Sequence, residues 1–194
     1  MKLILASKSA RRRQMFDSLG LDYTAVVTDA DESYEGRITP SRLVEILSQR
    51  KAQAAHADAD SVVIASDTVV ALGNRIFGKP ADRHEAYEMI KALSGTVHKV
   101  YSGYAILYGD KRVSGAVCTK VKFRDLTDKE INEYIDTDEP YDKAGGYGIQ
   151  ENGGFFVAAI NGDFNNVVGM PLSTIESVMR ESLGISLLDF RRKN

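Results

Sequence analysis

The chain has 194 residues, of which 43% are hydrophobic and 27% charged, with a formal net charge of -2. These values fit one packed domain and exclude a generally basic nucleic-acid binder, while a local cationic cleft stays compatible with them. The single cysteine, Cys118, excludes an intrachain disulfide and a Cys-rich zinc site. It lies in the alternating run Val117 to Val121 and reads as a strand residue packed like a small hydrophobe. The apolar run at Met1 to Ala6 is short, and Arg11, Arg12 and Arg13 follow it rather than precede it, unlike a signal peptide. No apolar run approaches the roughly 20 residues that cross a bilayer. The expectation is a soluble, cytoplasmic protein without a membrane partner.

In chain order, Lys2 to Ala6 reads as a short buried strand and Ala10 to Leu19 as a helix stopped by Gly20. Tyr23 to Val27 follows as a strand, and Thr28 to Ile38 is acidic and irregular. Thr39 and Pro40 open a helix, with Thr as cap and Pro at the first helical position. Ser61 to Ala65 reads as a central strand with Asp67 at its end. Thr68 to Ala71 and Arg75 to Phe77 read as hairpin arms around Gly73 and Asn74. Asp82 with Glu85 starts a helix ending near Leu93 and Gly95. Val97 to Tyr108 and Lys111 to Phe123 read as long strands joined at Gly109 and Asp110. Thr127 with Glu130 makes a capping box for a helix through Ile135. Phe155 to Ile160 and Asn165 to Val168 read as paired strands around Asn161 and Gly162. The last helix spans Leu172 to Leu183, with Gly184 behind it. Of the histidines, His56 and His84 read as helix-surface residues and His98 as a strand residue; none has metal-ligand spacing. This mixture predicts an α/β or α+β domain on a mixed sheet.

Four constellations can carry chemistry. Ser7, Ser9, Arg11 and Arg12 stand between a strand and a helix, where backbone N–H groups, hydroxyls and planar guanidinium forks can cradle a polyphosphate. An ordinary solvated helix start reads equally from the same residues. Asp67, in Ser66-Asp67-Thr68, is placed to hold a divalent metal or accept a proton from water; a turn aspartate is the alternative. Lys79, between Gly78 and Pro80, can neutralise phosphoryl charge or stand as an exposed turn lysine. In Lys143-Ala144-Gly145-Gly146-Tyr147-Gly148-Ile149-Gln150, the glycines permit close backbone approach to a ligand. The Gln150 amide offers the donor and acceptor that a base edge requires; a flexible loop is the alternative. Glu32, in the acidic run from Asp29, can join Asp67 around a metal or belong to a solvated loop. Neither a Rossmann nor a Walker spacing is present.

These blocks, with Lys51-Ala52, Leu93-Ser94-Gly95-x-x-His98-x-Val100 and Val167-Val168-Gly169-Met170-Pro171-Leu172, together resemble the Maf family over nearly the whole chain and in the family's order. The resemblance implies an elongated α/β fold with a mixed sheet flanked by helices. It is similar to the house-cleaning inosine triphosphate pyrophosphatases, a single domain over 1–194 with two lobes around a central cleft. It implies hydrolysis of a nucleoside triphosphate between the α- and β-phosphates with a divalent metal, Mg²⁺ or else Mn²⁺ or Co²⁺. Asp67 matches the proton acceptor. Arg11, Thr68 and Gln150 match positions tied to base choice, and Ser7, Arg12, Glu32, Lys51 and Lys79 match polar cleft positions. Asp67 and Glu32 are the expected metal ligands. The Gly-Tyr-Gly-Ile-Gln block resembles the branch acting on dTTP and UTP, which the branch acting on 7-methyl-GTP lacks. Modified pyrimidine nucleotides belong to the same expectation, as does a homodimer. Ala10 stands where the family usually has Pro, and Arg50 where it often has Glu. Two rival readings are a non-catalytic nucleotide- or nucleic-acid-binding regulator of cell division and a purine-directed pyrophosphatase.

Overall fold

A computed structural model of the chain describes residues 1–34 and 36–192. Its elements are β1 (Lys2–Ala6), α1 (Ala10–Ser18), β2 (Thr24–Val26), α2 (Pro40–Gln53), β3 (Ser61–Leu72), β4 (Arg75–Phe77), α3 (Arg83–Leu93), β5 (Val97–Tyr108), β6 (Lys111–Phe123), α4 (Asp128–Ile135), β7 (Val157–Asn161), α5 (Phe164–Val168) and α6 (Leu172–Val178). The strands form a mixed sheet in the order β2-β1-β3-β5-β6-β7, with β4 paired to β3 off this path. The expected α/β class is what the chain adopts. Among the described residues, no helix is long and apolar enough to cross a membrane.

The chain divides into two compact units. The first holds Met1–Asp67, Ser102–Val117 and Gly169–Asn194. In it β1 runs parallel to both β2 and β3, placing Ala6 beside Ala65. Thr39 caps α2 by accepting a hydrogen bond from the Arg42 backbone, the stop-start chemistry that Thr before Pro favours. Behind the ends of β1 and β3 the core is made of small residues, Ala6, Ala52, Val63, Ala65 and Ala105. Small side chains bring α2 close to the sheet. At Gly103 a Cβ would stand 2.1 Å from the Val44 carbonyl oxygen, so only glycine fits under the helix backbone.

The second unit holds Thr68–Tyr101 and Cys118–Val168. Here α3 and α4 cover a core that includes Val70, Phe77, Ile90, Val100, Phe123, Ile131, Tyr147 and Phe156. Both helices start on caps legible in the sequence. Asp82 accepts from the Glu85 backbone, while the Glu85 carboxylate reaches back to the Ala81 N–H. Thr127 and Glu130 complete a reciprocal capping box. His98 is fully buried and meets Phe123 and Tyr147 edge-on at ring separations of 4.8 and 5.5 Å.

His98 supplies a pH test of this core. Burial holds its imidazole down at about 4, from an ordinary 6.5. The imidazolium would carry N–H groups on both ring nitrogens, and Nδ1 has no hydrogen-bond partner to take one. The unfolded chain therefore binds the proton first. Stability from this group is complete above pH 6.5 and is lost as pH falls toward 4, by about 3 kcal/mol. Urea titrations at pH 7 and pH 4 are expected to show the wild type losing more stability than His98→Leu by roughly that amount. Equal losses would contradict it.

The structure departs from the sequence reading in four places. β3 does not stop at Ala65 but continues through Ser66, Asp67 and Thr68 to Leu72, so Asp67 lies within a strand rather than at its end. The buried Ser66 hydroxyl makes this affordable, lying 2.7 Å from the Gly103 carbonyl oxygen and 2.9 Å from that of Gly169. The second departure is the segment Asn165 to Val168, which is helical rather than a strand. Asp163 Oδ1 accepts from the Asn165 backbone to turn the chain. The buried Asn166 amide then donates to the Val100 carbonyl and the Thr119 hydroxyl. The true partner of β7 is β6, antiparallel, with Val121 opposite Ile160. Third, Cys118 lies on β6 but is exposed, because Thr119 and Val121 take the buried positions of the alternation. Fourth, His56 falls beyond the end of α2, with φ 46.

Candidate functional site

In the first unit, β1 and β3 lie side by side and deliver Ser7 and Asp67 from neighbouring strands. Ser7 is buried, and its hydroxyl accepts from the Ser9 backbone at 3.1 Å, which turns the chain into α1. Ala10 starts that helix without the family's usual proline. Ser9 makes no side-chain cap, so the first turn does not use a side chain of its own to satisfy its N–H groups. Arg12, one turn in, donates from Nε to the Gly169 carbonyl at 2.8 Å. That carbonyl also lies against the Ser66 hydroxyl of β3. A single peptide oxygen thus ties α1 to the strand that carries Asp67.

Burial lowers the Arg12 guanidinium from its ordinary value; the Asp67 carboxylate counters this, neighbouring Arg11 adds to it, and Glu32 counters it again. Arg11, Arg12, Glu32 and Asp67 therefore share one electrostatic neighbourhood. At its centre stands the Lys51 ammonium, delivered by the last turn of α2. It bonds Asp67 Oδ1 and pairs with Glu32 Oε1 at 2.9 Å. Lys51 and Asp67 are well shielded, with side chains 15% and 13% exposed, whereas Glu32 is 57% exposed. Glu32 reaches the centre because Arg50 holds its loop, donating to the Asp31 and Ser33 carbonyls at 3.0 and 2.6 Å. The positive charge at residue 50 is thus used to anchor the acidic loop.

Two carboxylates converging on one ammonium are hard oxygen donors around a place that already holds a cation. This fits a divalent ion of the Mg²⁺ type, which takes one or two carboxylates and completes its shell with water and substrate phosphate. Among the described residues no group of three His, Cys, Asp or Glu side chains could hold a metal. Asp67 and Glu32 are the residues that would bind one, with the substrate supplying the rest.

Thr68, Lys79 and Gln150 belong to the second unit. Thr68 is half-buried on β3. Lys79 is exposed, in the irregular segment after β4, between exposed Gly78 and buried Pro80. The Gly78 carbonyl accepts from the Gly145 N–H at 2.9 Å, linking that segment to the glycine segment. Gln150 is exposed in a turn following Gly148. The glycines before it are buried. At Gly148 a Cβ would stand 2.6 Å from Lys143 Cε, so that glycine lets the backbone pack closely over the lysine stem.

The sequence reading names Ser66 and Gly169 within its blocks but gives them no role, because the hydrogen bond they share spans 103 positions. It also missed the anchoring role of Arg50, and Glu139, whose contacts are described below. An acidic residue immediately before Pro140, a few positions from a glycine run, is the trace that could have raised Glu139.

The fold and these residues define an α/β protein equipped to hold an anionic, oxygen-rich ligand beside a carboxylate. A family model for Maf-like proteins matches residues 2–182. The chain belongs to the Maf family. It is 44% identical over 194 residues to a dTTP/UTP pyrophosphatase of Clostridium novyi, covering 96% of this chain and 100% of that one. It is 45% identical over 173 residues to a protein of the same name from Thermococcus gammatolerans, covering 89% and 92%. A solved structure of the Staphylococcus aureus Ham1 protein overlaps 63% of this chain and 72% of its own, at 14% identity and a TM-score of 0.45.

Proposed function

We propose that this chain is a nucleoside-triphosphate pyrophosphatase that cuts dTTP and UTP between the α- and β-phosphates, releasing the nucleoside monophosphate and pyrophosphate. The observation that carries the reading is the grouping of the Asp67 carboxylate, the Lys51 ammonium and the Arg12 guanidinium at one centre. Relatives sharing 44–45% identity over most of the chain carry the dTTP/UTP pyrophosphatase name, and the Gly146 to Gln150 block resembles that branch.

In this reading Arg11, Arg12, Lys51 and Lys79 bind the triphosphate, and Ser7 holds the turn that starts α1. Asp67 accepts the proton of an attacking water through the carboxylate oxygen that Lys51 does not engage. The new bond joins that water's oxygen to the α-phosphorus; the bond to the bridging α–β oxygen breaks, and pyrophosphate takes the electron pair. Arg and Lys near the leaving group offset its growing charge. A divalent ion, Mg²⁺ with Mn²⁺ or Co²⁺ as substitutes, would be held by Asp67 and Glu32 and would add charge neutralisation at the phosphates. Thr68, Arg11 and Gln150 select the base, Gln150 by hydrogen bonds to a pyrimidine edge. A site built on such bonds rejects a base that leaves them unmade. The 194 residues act as one catalytic domain, in a cytoplasmic protein that pairs as a homodimer.

The test is incubation with Mg²⁺ and a panel of nucleoside triphosphates, reading monophosphate and pyrophosphate together. Release of both from dTTP and UTP, far above the purine triphosphates, is expected. Release from purine triphosphates alone would keep the chemistry and overturn the base assignment. Binding without release from any of them would shift the reading to a nucleotide-dependent regulator.

A further inference from the structure

Gln150 stands in a turn that is clamped on both sides. Immediately after it, the Glu139 carboxylate accepts two consecutive backbone N–H groups, Asn152 to Oε2 at 3.1 Å and Gly153 to Oε1 at 2.9 Å. The Tyr134 hydroxyl donates to the same Oε1 at 2.9 Å and fixes the rotation of that carboxylate. Burial and the facing Glu139 charge both push the Tyr134 phenol up, so it stays a donor. Beneath the turn lies Lys143, with only 6% of its side chain exposed. Its ammonium donates to the Glu139 carbonyl and to Asp142 Oδ1, each at 2.7 Å, and pairs with Glu151 Oε2 at 3.1 Å. Before the turn, the Tyr147 hydroxyl meets His98 Nε2 at 2.8 Å. The backbone is packed without slack, since a Cβ at Gly153 would stand 2.8 Å from the Gly148 nitrogen.

An exposed side chain on a mobile turn is a poor reader of a base edge, because each contact must first order the turn. Charge-assisted bonds from an ionised carboxylate to backbone N–H groups are the strong ones, and Glu139 places two of them within three residues of Gln150. We propose that Glu139, oriented by Tyr134 and backed by Lys143, is a positioning residue for base selection: it presets the Gln150 turn and so sets the discrimination between pyrimidine and other triphosphates. This rests on the reading that Gln150 contacts the base. Glu139 acts through backbone and needs no contact with substrate.

The test compares wild type, Glu139→Gln, Tyr134→Phe and Gln150→Ala, measuring kcat and KM for dTTP and for ATP, with thermal midpoints to show that each is folded. Loss of a preset binding contact raises KM and leaves kcat alone. Glu139→Gln is expected to raise KM for dTTP about tenfold, with kcat and the constants for ATP little changed, so that the dTTP-to-ATP ratio of kcat/KM falls about tenfold. Tyr134→Phe, which removes one hydroxyl from a retained ring, is expected to give the same change at about two- to threefold. It decides the matter if Glu139→Gln does not fold. A general loss of kcat on both substrates, or an unchanged ratio in folded Glu139→Gln or Tyr134→Phe while Gln150→Ala lowers it, would overturn the positioning role alone. An unchanged ratio in Gln150→Ala would remove the base-reading assignment, and the positioning role with it.

Discussion

Asp67→Asn is expected to bind nucleoside triphosphate and to turn it over about 10²–10⁴-fold more slowly, the range a positioned general base supplies. Asn matches Asp in shape, so β3 and its buried Ser66 anchor persist. What disappears is the proton acceptor and the negative charge facing Lys51. At about 1.4 kcal/mol per tenfold, the loss corresponds to roughly 3–5 kcal/mol of barrier. Single-turnover rates with dTTP, beside a binding measurement with a non-hydrolysable analogue, separate the two effects. Full turnover with binding intact would remove Asp67 from the mechanism. Loss of binding together with turnover would make the carboxylate a substrate-holding group and leave the base to be found elsewhere.

Arg12→Lys is expected to lower kcat/KM by about 10²–10³-fold, although the charge is kept. The reason is geometric. Nε is committed to the Gly169 carbonyl, and that bond sets the plane of the guanidinium and therefore the direction of its fork. A lysine ammonium is a point charge on a flexible stem and cannot reproduce a planar, two-pronged contact with phosphate oxygens. Stability is expected to change little, within about 1 kcal/mol, because the Gly169 carbonyl keeps the Ser66 hydroxyl. Steady-state kinetics on dTTP with a thermal midpoint for each variant check both statements. Arg12→Lys with wild-type kcat/KM would show that charge alone is needed at this position.

The site residues were visible in the sequence as separate blocks, each with an ordinary explanation of its own. The charge pattern around Glu32 favours a solvated acidic loop, and Lys51 stands out only in the family's Lys51-Ala52 block. Their meeting at Asp67 depends on α2 ending beside β3 and on Arg50 drawing the acidic loop inward. Residues 12, 32, 51 and 67 have no common period, so no local pattern could bring them together. The ordered set of motifs named them through family resemblance; hydrophobic spacing did not. Glu139 illustrates the opposite case, since its function is carried by backbone N–H groups, which every residue but proline possesses.

The sequence alone determined the local events, where chemistry and spacing act within a few residues. Thr39 and Pro40 start a helix, Thr127 and Glu130 close a capping box, Gly73 and Asn74 turn a hairpin, and Gly109 and Asp110 join two long strands. It also identified the family, and through that resemblance the α/β class, which the pattern of elements left open between α/β and α+β. Only the tertiary structure decided that β3 runs on through three polar residues, because the carbonyls that satisfy Ser66 come from Gly103 and Gly169. Only the tertiary structure made Asn165 to Val168 a helix, because the Asn166 amide nitrogen donates to β5 and β6. A buried polar group takes whatever conformation pairs it, and its partners lie far along the chain, beyond the reach of any local pattern.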